Sequence, residues 1–138
     1  MDSKSLEITL NAKQINPTAM RLLVLDFLLQ QNAAVSLTIL EKEFEHSDRI
    51  TLYRTLKTFE KKGLIHSVND GHSTKYAICS DSCHENAHTD THLHFYCTAC
   101  QNTFCLPKIS IPVVDIPHNF QLEELSVMAR GICENCRS

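Results

Sequence analysis

DRITLYRTLKTFEKKGLIHSVNDGHSTKYAI, residues 48–78, reads as one helix followed by two strands. Ser47 or Asp48 suits the N-cap, because a short oxygen-bearing side chain can accept from the N–H groups that open a helix. Gly63 suits the residue just past the C-terminus, where a left-handed backbone is needed. Between them Leu52, Leu56 and Phe59 share one side at helical spacing, while Tyr53, Arg54, Lys57 and Lys61 share the roughly opposite arc. A helix with an apolar back and a basic, tyrosine-bearing front suits a DNA major groove, and it also suits a plain solvated amphipathic helix. Leu64–Val68 and Ser73–Ile78 read as strands, with Asn69-Asp70-Gly71 as the hairpin turn between them. His72 or Lys75, at or near that turn, is a candidate phosphate contact.

Working outward toward the N-terminus, Asn16-Pro17 suits a cap followed by proline at the first helical position. Met20, Leu23, Val24, Phe27 and Leu28 then follow the spacing of one buried helical face. Thr38-Ile39-Leu40-Glu41 matches a capping box and opens a short helix through about residue 44. Helices followed by a β-hairpin give the order of a winged helix-turn-helix, with the hairpin as wing. Toward the C-terminus, residues 79–91 are polar and read as a linker. His92–Tyr96 and Thr103–Leu106 read as strands flanking a Cys-x-x-Cys turn, and Phe120–Ile132 as one more strand, with Leu122-Glu123-Glu124-Leu125 equally suited to a helical turn. Pro107, Pro112 and Pro117 exclude a long helix over 107–117.

The chain has 138 residues and a formal net charge of −3, unevenly spread. Residues 1–66 hold nine Lys/Arg against eight Asp/Glu, net +1, and residues 67–138 hold four against eight, net −4. Basic charge concentrates in 48–62, where Arg49, Arg54, Lys57, Lys61 and Lys62 face only Asp48 and Glu60. The local balance, not the total, sets a phosphate-contact surface. No apolar run reaches membrane-spanning length, and Met1–Lys4 lacks the basic-then-apolar pattern of a secretory signal. A cytoplasmic protein with no membrane partner is expected. With three glycines, a Gly-rich nucleotide cradle is not available.

Seven cysteines in a reducing compartment point to metal rather than to disulfides. Cys97-x-x-Cys100 and Cys133-x-x-Cys136 supply two thiolates each, the complement of a tetrahedral zinc ion. Four thiolates leave no open coordination position, so such a site is structural rather than catalytic. His92-x-His94 places two imidazoles on one face of a strand, able to share a second metal. His66, Cys79, Cys83, His84 and His88 are all chemically able to complete it. Cys105 has no assigned partner, and a core position is its default.

Taken together, Arg21 in TAMRLLVL (residues 18–25), TLYRTL (51–56), GLI (63–65), HLHFYCTAC (92–100) and GICENC (131–136) resemble the Fur family of metal-responsive transcriptional repressors. The resemblance spans about residues 15–137. It implies an α+β chain: a winged-helix DNA-binding domain over 1–78, a hinge over 79–91, and a small α/β dimerisation and metal-binding domain over 92–138. It further implies a homodimer on palindromic double-stranded operators. Tyr53 and Arg54, with Thr51 beside them, carry over as recognition-helix contacts, and Arg21 as a backbone or minor-groove contact. Arg49, Lys57 and Lys61 are expected to hold phosphates. Cys97, Cys100, Cys133 and Cys136 carry over as the structural zinc site, and His92 and His94 as regulatory ligands.

The family's zinc-sensing branch looks closer than its iron-sensing members. Ala34, Ala77, Thr91, Leu93 and Leu125 stand where iron-type ligands are expected. Counting from Gly63 and Tyr76 puts His66 and Cys79 at zinc-type positions, which gives the regulatory set His66, Cys79, His92 and His94. Cys83, His84 and His88 are its rival ligands. The second metal is then Zn²⁺, with Fe²⁺ as the alternative, and an iron- or peroxide-responsive regulator is the rival function. Two other classes are a hydrolytic zinc enzyme, which needs an open metal position, and a zinc-buffering or protein-docking module, which needs no DNA. No small-molecule substrate is implied.

Overall fold

The computed structural model describes residues 2–78, 93–106, 109, 111–112, 114–123 and 125–137. The chain divides into two compact units, Met1–Asp90 and Thr91–Ser138.

The first unit holds α1 (Ser3–Ala12), α2 (Ala19–Leu29), β1 (Val35–Ser36), α3 (Leu37–Glu43), α4 (Arg49–Lys61), β2 (Ile65–Asn69) and β3 (Thr74–Ile78). The strands form one antiparallel sheet in the order β1-β3-β2. Leu6, Leu10, Val24, Leu25, Leu28, Leu40, Leu52, Leu56, Phe59 and Ile65 meet in a single apolar cluster. The burial of Leu52, Leu56 and Phe59 fixes which side of α4 faces inward. This is the helix-turn-helix and wing anticipated from residues 48–78, extended by α1, which the sequence reading does not anticipate. Asp2 caps α1 by accepting from the Ser5 N–H, and Leu6 and Leu10, one turn apart, bury its inner face.

Helix α4 starts and stops where its sequence indicates. The Asp48 carboxylate accepts from the Thr51 N–H at 2.6 Å, and that bond holds the carboxyl below the usual carboxylate range. At the other end Gly63 has φ 81°. Its N–H bonds to Glu60 O while the Leu64 N–H reaches back to Phe59 O, so two terminal carbonyls are satisfied.

Two other helix starts move. The cap of α2 is Thr18, not Asn16: its hydroxyl accepts from the Arg21 N–H, and the Asn16 carbonyl is taken by the Arg21 guanidinium at 2.9 Å. The cap of α3 is Ser36, not Thr38. Pairing of Val35 and Ser36 with Tyr76 and Lys75 holds Ser36 extended, so the helix starts directly after it.

The wing turn is also longer than an Asp-Gly hairpin. Asn69 pairs with Thr74, which leaves residues 70–73 as the loop. Asp70 Oδ1 accepts from the N–H groups of His72 and Ser73, both at 2.9 Å. Its Oδ2 meets Lys75 Nζ at 2.8 Å, with the two side chains 0% and 10% exposed. Lys75 is therefore an internal staple of the wing and not a phosphate contact.

The second unit holds β4 (Leu93–Cys97), β5 (Thr103–Leu106) and β6 (Val127–Gly131). β4 is central, antiparallel to β5 and parallel to β6. The strand expected over 120–132 is confined to Val127–Gly131. The described residues between 107 and 126 form neither helix nor strand, in keeping with the prolines there. A Cβ on Gly131 would meet Phe95 Cζ at 3.0 Å, so glycine allows β6 to lie against that ring.

Asp70→Ala leaves Lys75 buried without its counter-charge and frees two loop N–H groups. It is expected to lower stability by about 3 kcal/mol in urea unfolding, whereas Lys57→Ala on the exposed face of α4 should change it little.

Candidate metal centre and nucleic-acid interface

The turn after β4 and the tail after β6 are brought side by side by the parallel pairing of β4 with β6, which matches Cys97 to Gly131. The Thr98 N–H donates to Gly131 O at 2.8 Å and fixes the two segments together. Cys97 Sγ, fully buried, accepts from the N–H of Cys100 and from the N–H of Cys133, each at 3.4 Å. Cys100 Sγ lies 3.8 Å from Cys133 Sγ. The sulfurs of Cys97, Cys100, Cys133 and Cys136 all fall within 4.8 Å of one another. Two sulfurs on a tetrahedral zinc with Zn–S bonds of about 2.3 Å stand about 3.8 Å apart, so the four residues fit that ion.

The electrostatics lead the same way. Backbone N–H groups of Cys100 and Cys133 stabilise the Cys97 thiolate and bring its pKa down to about 6. The thiols of Cys133 and Cys100 crowd Cys136 and push it up to about 12. Close sulfurs cannot all carry charge unless a cation joins them, and a divalent metal supplies it.

A second donor pair lies on the same sheet. His94 on β4 is directly opposite Cys105 on β5, and their ligand atoms come within 4.8 Å. Cys105, given a core role by default, is half-exposed and faces an imidazole. Its spacing in the sequence carries no ligand signature; only the β4–β5 register reveals it. His66 is a buried residue of β2, opposite Ala77 in the first unit. Cys79, His92, Cys83, His84 and His88 lie outside the described residues.

On α4, Arg49, Thr51, Tyr53, Arg54, Lys57 and Lys61 are all exposed. Arg49 pairs with Glu41 of α3, tying the two helices of the helix-turn-helix. Lys57 Nζ lies 3.3 Å from Glu60 and 5.3 Å from the centre of the Tyr53 ring. Thr51 serves the cap through its N–H and accepts the Thr55 hydroxyl at its carbonyl. Arg21, partly exposed, opens α2 and braces the chain before it.

A sequence model of the ferric uptake regulator family matches residues 13–130. The chain belongs to that family. A member of the ferric uptake regulator family is a metal-responsive DNA-binding regulator and not an enzyme. No curated protein matches it in sequence. Solved structures of low identity share the fold. A zinc uptake regulator complexed with zinc and DNA is 22% identical at a TM-score of 0.66, with 96% of this chain and 91% of that one covered. Holo XcZur is 17% identical at a TM-score of 0.64, covering 96% and 94%. The ferric uptake regulator of Vibrio cholerae is 20% identical at a TM-score of 0.61, covering 92% and 98%. Among the described residues, no helix of this family member is long and apolar enough to cross a membrane.

With Cys97 at about 6, lowering the pH adds a proton that the metal must displace. Protons released per metal bound should therefore rise by about one between about pH 7.5 and about pH 5, with affinity falling correspondingly faster below pH 6. Calorimetry in buffers of different ionisation enthalpy measures the release. Cys133→Ser should remove one metal per chain in elemental analysis.

Proposed function

We propose that the chain is a zinc-responsive repressor that binds palindromic operators as a homodimer. The observation that carries the zinc assignment is the pairing of Cys105 with His94 across β4 and β5. A thiolate beside an imidazole makes a donor set softer than carboxylates, and that favours Zn²⁺ over Fe²⁺. The four-cysteine cluster then holds a structural zinc, whose binding energy adds to the stability of the second unit. A regulatory zinc takes His94 together with ligands from His66, Cys79 and His92, and Cys105 joins them as a further donor. Cys83, His84 and His88 stay as rivals for the same ion.

Zinc acts by binding the DNA-competent form more tightly than the other, since a ligand shifts an equilibrium only by its differential affinity. Self-association draws support from the second unit, where Ile109, Val114, Phe120, Leu122 and Ile132 are each about half exposed or more. Apolar side chains in that number suit a buried face between copies. A DNA partner makes the cytoplasm the working compartment.

On α4 the roles divide by chemistry. Tyr53 and Arg54 read base edges, with Thr51 beside them. Lys57 and Lys61 neutralise phosphates, and Arg49 exchanges Glu41 for one. Arg21 meets the backbone from α2.

Elemental analysis of the full chain after mild chelation should give one zinc, rising to two when zinc is restored, with duplex binding rising in step. A count fixed at one, or DNA binding indifferent to zinc, removes the zinc-sensor reading and moves iron sensing ahead. Arg54→Ala should relax sequence preference. Lys57→Ala should weaken every duplex about equally and reduce the salt slope by about one unit.

A further inference from the structure

The first turn of α4 carries a side chain that neither the core nor the charge pattern explains. Ile50 is 63% exposed, more than any other large apolar residue of the helix-turn-helix. It lies three and four residues before Tyr53 and Arg54, so all three share one outward face near the helix N-terminus. Tyr53 is itself 45% exposed. An isoleucine left in water on a soluble helix gains nothing from being there, and the opposite side of α4 already supplies Leu52, Leu56 and Phe59 to the core.

We propose that Ile50 reads the 5-methyl group of a thymine in the major groove, and so sets one position of sequence specificity in each half-site. The inference rests on α4 being the helix that enters DNA. Three observations carry it further than that reading. First, recognition helices meet base edges with their N-terminal residues, and Ile50 is the second residue of α4. Second, the Asp48 carboxylate accepts from the Thr51 N–H and places a negative charge at the start of the helix. That charge disfavours a phosphate directly over the helix end, beside Ile50. Third, the flanking cations Lys57 and Lys61 lie further along the same exposed side. They match phosphates on either side of the groove while Ile50 meets its floor. The one apolar group that the major groove presents is the thymine methyl, and it distinguishes A·T from T·A.

The test uses the full-length, zinc-loaded protein and a randomised double-stranded DNA library. Selection with the unaltered protein should return a symmetric motif with a fixed thymine in each half. Selection with Ile50→Ala should return the same motif with that thymine relaxed and all other positions kept. In a duplex built from the motif, replacing that thymine by uracil removes only the methyl. This should weaken the unaltered protein by about fourfold, the factor for one buried methyl group. It should leave Ile50→Ala unchanged, and Ile50→Val should keep most of the discrimination. Because Ile50 is outside the core, equal thermal melting of the variants confirms that folding is not the cause. If Ile50→Ala selects an identical motif, or uracil costs the unaltered protein nothing, the inference falls while DNA recognition by α4 stands. If the unaltered protein enriches no motif, both fall together.

Discussion

The sulfur of Cys97 holds the second unit together. Two N–H groups from opposite ends of the unit's sequence, those of Cys100 and Cys133, point at it. Among the described residues of that unit only Tyr96, Cys97, Thr103 and Cys133 are buried. Three short strands with so small a core cannot bury enough apolar surface to hold by hydrophobic contact alone. A cross-link through four thiolates replaces the missing core, and the fold of the sheet is thereby tied to metal. The first unit is built on the opposite principle: its helices bury a contiguous apolar cluster of leucines together with Phe59.

This contrast divides what a regulator of this family has to do. In the proposed reading α4 meets DNA, and the apolar packing behind it fixes which of its faces is turned outward. The sensing part must respond to an ion, which requires that part of its stability come from the ion. Thiolates and imidazoles on strands serve this well, because register fixes which donors stand opposite each other. His94 and Cys105 are such a pair.

How much was legible in advance follows the range of the interaction. Asp48 and Gly63 bound α4 as read, because a cap and a left-handed stop are decided within a few residues. The two Cys-x-x-Cys turns were legible for the same reason. Ser36 displaced the expected cap because tertiary pairing decided it: β1 had to stay extended to reach β3. Thr18 displaced Asn16 through local bonds, its hydroxyl taking the Arg21 N–H while the Arg21 guanidinium took the Asn16 carbonyl. Lys75 looked like a cation offered to phosphate until the buried carboxylate of Asp70 was seen beside it. Cys105 was invisible as a donor because its partner is eleven positions away and is set only by strand register. The short helix α1 had its signals in Asp2, Leu6 and Leu10, but two apolar residues one turn apart are too few to define a face by themselves.

The staple between Asp70 and Lys75 also shapes how the protein searches a chromosome. Lys75 is the only Lys or Arg in the wing hairpin, and its charge is cancelled internally. Cationic surface is thus concentrated as a narrow stripe on α4 instead of spreading over helix and wing together. Such a stripe engages few phosphates at once, and the chain as a whole is anionic. Non-specific affinity grows with each phosphate neutralised, so a paired Lys75 adds nothing to it. On the proposed reading of α4, a larger share of the affinity for an operator is then left to contacts that depend on sequence.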